Sequence, residues 1–400
     1  MRRNNTGNNK FLKEFNQAVI LDLIRTNKAI SKADLAKLTG LSPTAAGVIT
    51  SSLLEKGYIH ETGIGESTGG RRPVLLELKP RSFYSIGIDL DVNYINLIVV
   101  DITGNIVFEK FTGMPEYLRF DRVMSLMEAE VVSLIGELGI GAEKLLGIGV
   151  SIPGMVDSET KKIILAPNLG WAHADVKTNF KKLPGVPVYV ENEAMASAIC
   201  ENWVGVCQGI DNFVCINIKS GIGAGIYTQG KPYRGVGGSA GEIGHVVVDE
   251  NGPRCGCGNY GCLETLASTA RIVEQARKLV RQGVLSSLNR IEDADSISMQ
   301  QVIDAARGGD EEARRILAES ARYLGIAISN IVNTLNPSMV VLGKEFVNYA
   351  DLVLDSIKEI VSTKALGYPA SKVDILQSSV GEKASALGAA ILPLKVLFGR

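Results

Sequence analysis

Cys255, Cys257 and Cys262 fall within eight residues of one another, shortly after His245, one of only three histidines in the chain. Thiolates and imidazole are the ligands that Zn²⁺ prefers, and four of them complete a closed tetrahedral structural site. Gly256, Gly258 and Gly261 lie between the sulfurs and let the backbone turn tightly enough to aim them at one ion. A disulfide is the competing reading, but three cysteines leave one unpaired and nothing marks the chain as secreted. No isolated cysteine stands apart as a nucleophile. The spacing therefore predicts structural Zn²⁺ held by His245, Cys255, Cys257 and Cys262. Glu242 and Glu264 bracket these ligands, so the metal would pin two carboxylates on either side of one small pocket. Cys200, Cys207 and Cys215 lack ligand spacing and read as small buried hydrophobes.

The elements that carry this group must come from a chain of 400 residues, 46 % of them hydrophobic, enough for two or three cores. No apolar run reaches membrane-spanning length, and the start Met1-Arg2-Arg3-Asn4-Asn5 lacks a signal-peptide core. A cytoplasmic location is expected. The net charge of −1 conceals an asymmetry: residues 1–82 hold 13 Lys/Arg against 7 Asp/Glu, the remainder 29 against 36. A basic segment joined to an acidic body points to an anionic partner for the first part alone.

Residues 1–82 read as a winged helix-turn-helix. Val19, Ile20, Leu23 and Ile24 recur at helical spacing within Phe15–Thr26. A second helix follows to Thr39, with Ser31 as N-cap and Leu35 and Leu38 facing inward. After Gly40, Ser42 caps a third helix that opens on Pro43, runs to about Lys56 and buries Val48, Ile49, Leu53 and Leu54. Helix, short glycine turn, helix is the layout whose second helix enters the major groove. Ser42, Thr44, Ala45 and Ala46 stand at the reading end of that helix. Strands at 58–61 and 73–78 flank a glycine-rich tip ending in Arg71 and Arg72, a wing with cations placed for phosphates or the minor groove. Operator duplex DNA is the expected partner, read by a homodimer or higher homo-oligomer.

The body opens with three strands around 84–89, 95–101 and 104–108. A related pattern returns at 212–218, 221–227 and 231–233. A repeated meander predicts two similar lobes with a cleft between them, where small ligands bind. Helices are expected near 120–138, 192–204, 265–282, 299–307 and 310–335, a late strand at 340–343 and a closing helix at 388–397. The expected domains are 1–82, then 83–204 with about 384–400, then 205–383 carrying the zinc loop.

Glu242-x-x-His245 followed by Cys-Gly-Cys-x₄-Cys-Leu-Glu264 resembles the signature of the ROK family, which groups sugar kinases with sugar-responsive repressors. Ser151-Ile-Pro-Gly154, Pro167-Asn-Leu-Gly-Trp171 and Glu191-Asn-Glu-Ala194 are similar to further family blocks, in family order, so the resemblance spans essentially the whole chain. It implies an α/β chain in which the winged domain precedes a two-lobed actin-like (ribonuclease H-like) ATPase fold, with a monosaccharide in the cleft. Carried over by position, Asn192 and Glu193 would hydrogen-bond one edge of the sugar, and Glu242, His245 and Glu264 the other. Among the family's repressors, Asp91-Val-Asn-Tyr-Ile-Asn96 is most similar to the xylose-responsive ones, implying D-xylose as inducer of a carbohydrate-utilisation operon.

Family kinases place Asp-x-Gly-Gly-Thr in the first hairpin; here it is Asp89-Leu-Asp91-Val-Asn93, with Asp91 where phosphate would lie. Glu193 stands at the position of the kinase base, one methylene longer, and proton transfer tolerates little misplacement. Gly343-Lys344-Glu345 replaces a glycine pair, while Gly221, Gly223 and Gly225 are retained. These departures predict a repressor and not an enzyme. The alternatives are a ROK monosaccharide kinase with an accessory DNA-binding domain, or a repressor answering to glucose or an amino-sugar phosphate.

Overall fold

The computed structural model describes residues 9–64, 72–114 and 119–399. Its first elements are α1 (Asn9–Asn27), β1 (Ile30–Ser31), α2 (Lys32–Thr39), α3 (Pro43–Glu55), β2 (Ile59–Ile64) and β3 (Val74–Leu78). Ile20, Leu21, Ile24, Leu35, Ala46, Leu53 and Leu76 form a fully buried core between the helices and the hairpin. β2 and β3 pair antiparallel from Ile59 opposite Leu78, and β1 adds to the other edge of β3. The wing is therefore present. Its tip, with Arg71, lies outside the described residues, and Arg72 at its edge is exposed.

Both expected caps form. The Ser31 hydroxyl accepts from the Asp34 N–H at 3.1 Å, and the Ser42 hydroxyl from the Ala45 N–H at 3.2 Å. Ser42→Ala should cost about 1 kcal/mol of stability. A thermal denaturation midpoint equal to that of the parent would show that α3 does not depend on this cap. Two expected core positions are corrected: Leu38 is 59 % and Val48 61 % exposed. Each lies two residues, about 200° of helical rotation, beyond a buried alanine (Ala36 or Ala46), and so faces outward.

The rest continues through β4 (Tyr84–Leu90), β5 (Tyr94–Asp101), β6 (Ile106–Gly113), α4 (Phe120–Leu138), β7 (Leu145–Ile152), β8 (Met155–Val156), β9 (Ile163–Ala166), β10 (Trp171–Ala174), β11 (Val188–Asn192) and α5 (Glu193–Trp203). Next come β12 (Phe213–Ile218), β13 (Ile222–Thr228), β14 (Lys231–Tyr233), α6 (Glu264–Ala267), α7 (Thr269–Arg281), α8 (Met299–Arg307) and α9 (Glu311–Leu335). The last are β15 (Met339–Lys344), α10 (Ala350–Lys364), α11 (Gly367–Ala370), β16 (Asp374–Gln377) and α12 (Ala384–Leu397).

The chain divides into two compact units. One comprises Met1–Val150, Asp175–Val190 and Ala389–Arg400, the other Ser151–Ala174 and Glu191–Gly388. The first contains the winged segment and a sheet of order β11-β7-β4-β5-β6. Its inner strands are buried on both faces, from Ile86 to Val100, and so are almost continuously apolar. Gly149 lets α12 lie against this sheet, because a Cβ there would sit 1.9 Å from the Ala389 carbonyl oxygen.

The second unit holds a sheet of order β14-β13-β12-β15-β16 and a small sheet β10-β9-β8. Each large sheet contains the three-stranded antiparallel meander that the repeat predicts, β4-β5-β6 and β12-β13-β14. β15 and β16 then extend β12 in parallel. Helix α5, which the sequence groups with the first lobe, packs on β12 and β13 of the second unit. The opposite side of that sheet is buried under α6 to α10 by an apolar cluster that includes Leu263, Ile272, Ile303, Leu324, Ile328 and Ile357. Sequence periodicity did not reveal α10 or the small sheet, and α12 starts four residues before the expected closing helix.

Candidate functional site

The metal-type residues converge. The ligand atoms of His245, Cys255, Cys257 and Cys262 all lie within 4.8 Å of one another. His245 Nδ1 is 3.6 Å from Cys255 Sγ, and Cys257 Sγ is 3.7 Å from Cys262 Sγ. A tetrahedron with Zn–S bonds of about 2.3 Å has edges of about 3.8 Å, so the donor set fits zinc. Backbone turns make this possible: Cys255 N–H donates to Asn259 O at 2.7 Å and Gly258 N–H to Cys255 O at 3.0 Å. At Gly261, with φ of +67°, a Cβ would collide with the Asp249 carbonyl oxygen, so only glycine passes there. The Asn259 backbone N–H, ahead of the neighbouring thiols, pulls the Cys257 thiol down to about 7, towards the thiolate that a metal needs. Tyr323 on α9 donates to Asp249 Oδ2 at 3.0 Å and moors the loop from outside.

From this loop, hydrogen bonds lead to the start of β13. Leu263 N–H bonds Val246 O at 2.9 Å, carrying Glu264 directly out of the metal loop into α6. Glu264 Oε2 accepts the Ile222 N–H at 3.2 Å. Segment 241–245 lies hard against β13, since a Cβ at Gly241 would be 1.9 Å from Ala224 O and one at Gly244 2.2 Å from Ile222 O. Glu242 is thereby brought close to His245 and Glu264. Burial, ahead of the neighbouring Glu264 charge, pushes its carboxyl above the usual range, and His245 offsets part of this.

A second group of expected site residues lies at the β11–α5 junction. Asn192 caps α5: its Oδ1 accepts the N–H groups of Ala194 at 2.9 Å and Met195 at 3.1 Å, and its Nδ2 donates to Gly154 O at 2.9 Å. Its amide orients Glu193 and ties β11 to the Ser151–Gly154 segment. Glu193 pairs through Oε2 with the Lys219 ammonium at 2.9 Å. Buried Glu191 takes Arg234 Nη2 at 2.5 Å and Lys161 Nζ at 3.6 Å, which anchors the chain that leads into Glu242. Sequence reasoning missed Lys219, Arg234 and Lys161. A lysine between the strand 213–218 and the glycine-rich turn was a visible signal for the first; the other two become legible only through contacts across the unit.

The positions that depart from the kinase pattern have their own internal partners. Asp91 is buried and accepts the Asn93 N–H through Oδ1 at 3.4 Å, turning its carboxylate into the hairpin. Lys344 adopts φ +60° and ψ −138°, a backbone region favoured by glycine, and its buried ammonium meets the Ser385 hydroxyl and the Glu382 carbonyl. Gly225 has a packing reason: a Cβ there would lie 2.4 Å from Ala194 O, so glycine allows α5 to approach β13. Its retention is no sign of a phosphate.

On the winged domain, Ser42 and Thr44 are exposed and Ala45 is partly exposed at the start of α3. Ala46 is fully buried and packs inward, so it cannot reach a base edge. Val48 and Ser51 are exposed on the same helix.

The ROK family model matches residues 85–396, and a winged helix-turn-helix DNA-binding model matches residues 19–60. The xylose repressor of Bacillus subtilis is 35 % identical over 382 residues, 94 % of each chain. A crystallised ROK family transcriptional regulator, described as a homologue of the Escherichia coli MLC protein, superposes with a TM-score of 0.85 at 29 % identity, covering 97 % of both chains. A ROK family glucokinase from Streptomyces griseus, solved with glucose and AMPPNP, gives a TM-score of 0.69 at 30 % identity over 77 % of this chain and 98 % of its own. The expected winged helix-turn-helix plus actin-like architecture is thus present.

Proposed function

The chain belongs to the ROK family, and from that premise we propose that it is a sugar-responsive transcriptional repressor with D-xylose as its inducer. The observation that carries this reading is the union, in one chain, of a winged helix-turn-helix with a ROK domain in which Glu242 and Glu264 stand beside the His245 cluster and Asn192 caps the helix that Glu193 opens. Carboxylates suit sugar hydroxyls because charge-assisted hydrogen bonds are about twice as strong as neutral ones. Zn²⁺ at His245, Cys255, Cys257 and Cys262 serves as a structural tie that holds Glu242 and Glu264 in place. His245 both ligates the metal and borders the sugar.

Sugar acts on DNA binding only if it prefers one of two arrangements of the protein. A homodimer on a palindromic operator makes that preference effective, since a change in the spacing of two recognition helices alters operator affinity. Ser42, Thr44 and Ala45 face bases in this reading, with Val48 and Ser51 beside them, and Arg71 and Arg72 contact phosphate. Phosphoryl transfer is disfavoured by the Lys219–Glu193 pair and by the side chains of Asp91 and Lys344 at positions where family kinases carry glycine. The choice of D-xylose rests on the likeness to a protein named for that sugar.

Fluorescence anisotropy on DNA from upstream of the protein's own gene tests the proposal, with sugars and sugar phosphates added to the complex. Release by xylose alone supports both mechanism and inducer. Release by glucose or an amino-sugar phosphate keeps the mechanism and discards xylose, whereas failure to bind any candidate operator sinks the repressor. In the same assay Glu242→Ala should weaken sugar binding by about tenfold to a hundredfold, the worth of one or two hydrogen bonds to a charged group. Operator affinity without sugar should stay unchanged, and a retained sugar response would remove Glu242 from the pocket.

A further inference from the structure

Glu193 begins α5 and is 9 % exposed; Lys219 follows the last residue of β12 and is 8 % exposed. Both backbones are fixed. Lys219 N–H donates to Gly221 O at 3.0 Å and its carbonyl accepts the Thr269 N–H at 2.9 Å. The Glu193 carbonyl accepts from Asn217 Nδ2 at 3.4 Å, and the same amide donates to Ser197 Oγ at 3.0 Å. The ammonium–Oε2 contact of 2.9 Å is therefore made between two preset groups in a largely water-free place. In such surroundings an unpaired carboxylate is strongly disfavoured, and a paired one is held in one orientation.

Resting on the reading of this pocket as a sugar site, we propose that Lys219 is a positioning residue for the effector. It clamps Oε2 of Glu193 and presents Oε1 as a fixed acceptor to a sugar hydroxyl. Monosaccharide epimers differ in the direction of a single hydroxyl, so a fixed acceptor contributes selectivity as well as affinity.

A double-mutant cycle in the full-length protein tests this, with Lys219→Met, Glu193→Gln and the pair measured by calorimetric titration with xylose. Lys219→Met should lower affinity by about tenfold or more when Glu193 is present. In the Glu193→Gln background, where a neutral amide needs no counter-charge, the same change should cost less than about twofold. Lys219→Arg, which keeps the charge, should recover affinity that Lys219→Met loses. Additive losses, or an unaltered Lys219→Met, would overturn the proposal. If the unaltered protein binds no sugar in a panel of monosaccharides, the effector reading fails. The ion pair is then judged by the same cycle in sugar-free denaturation midpoints. Coupling there would show a structural ion pair only, so the positioning role falls together with the effector reading. Additive sugar losses, by contrast, overturn the positioning role and leave the effector reading intact.

Discussion

Serine at position 262 should empty the metal centre and silence the sugar response in one step. Cys262 is fully buried, and its ligand atom lies within 4.8 Å of those of His245, Cys255 and Cys257. A structural zinc contributes on the order of 10–16 kcal/mol in small zinc-dependent folds, far more than the loop's backbone hydrogen bonds can replace. Leu263 and Glu264 follow the lost ligand directly, and Val246, bonded to Leu263, lies one residue beyond His245. Losing the tie should free Glu242 and Glu264 together, so affinity for sugar should fall by about a hundredfold or more. The winged domain is built in a different unit and contributes no ligand, so operator binding should survive. Elemental analysis and anisotropy decide the matter. Parent protein purified without zinc, or a Cys262→Ser variant that still releases DNA on adding sugar, would refute the structural role.

The second large effect belongs to the wing. Replacing Arg71 and Arg72 with alanine should weaken binding to operator and unrelated DNA alike and make both less sensitive to salt. Each phosphate contact releases counterions and contributes about 0.9 to the slope of log K against log salt. Two lost contacts per chain should therefore flatten that slope by about 1.8 per chain. Arg72 is exposed beside the strand hairpin, as such a role requires. Titrations at four or five salt concentrations provide the check, and an unchanged slope would rule out phosphate contact. Thr44→Ala should behave differently, since a base-facing residue alters the ranking of operator sequences more than the salt slope.

The sequence by itself determined the features whose physics is local. Four residues of metal-ligand type within eighteen positions, spaced by glycines, were legible as a cluster because chelation depends on short loops, and their ligand atoms do converge. Ser31 and Ser42 declared their caps, and the repeated strand pattern declared two meanders, because capping and alternation act over a few residues. Tertiary structure decided the rest. Ala46 and Val48 exchanged their expected sides because the phase of a short helix is set by what packs on it, and small or apolar residues fit either face. Asn192 caps α5 locally, but only the fold brings Gly154, 38 residues away, within reach of its Nδ2. Glu193 acquired Lys219, and Glu191 acquired Arg234 43 residues further on, only once β11, α5 and the β12–β13 hairpin had packed together. A residue's type announces that it can carry charge or accept a hydrogen bond. Which partner it meets depends on strand register and helix packing, and these are properties of the folded whole.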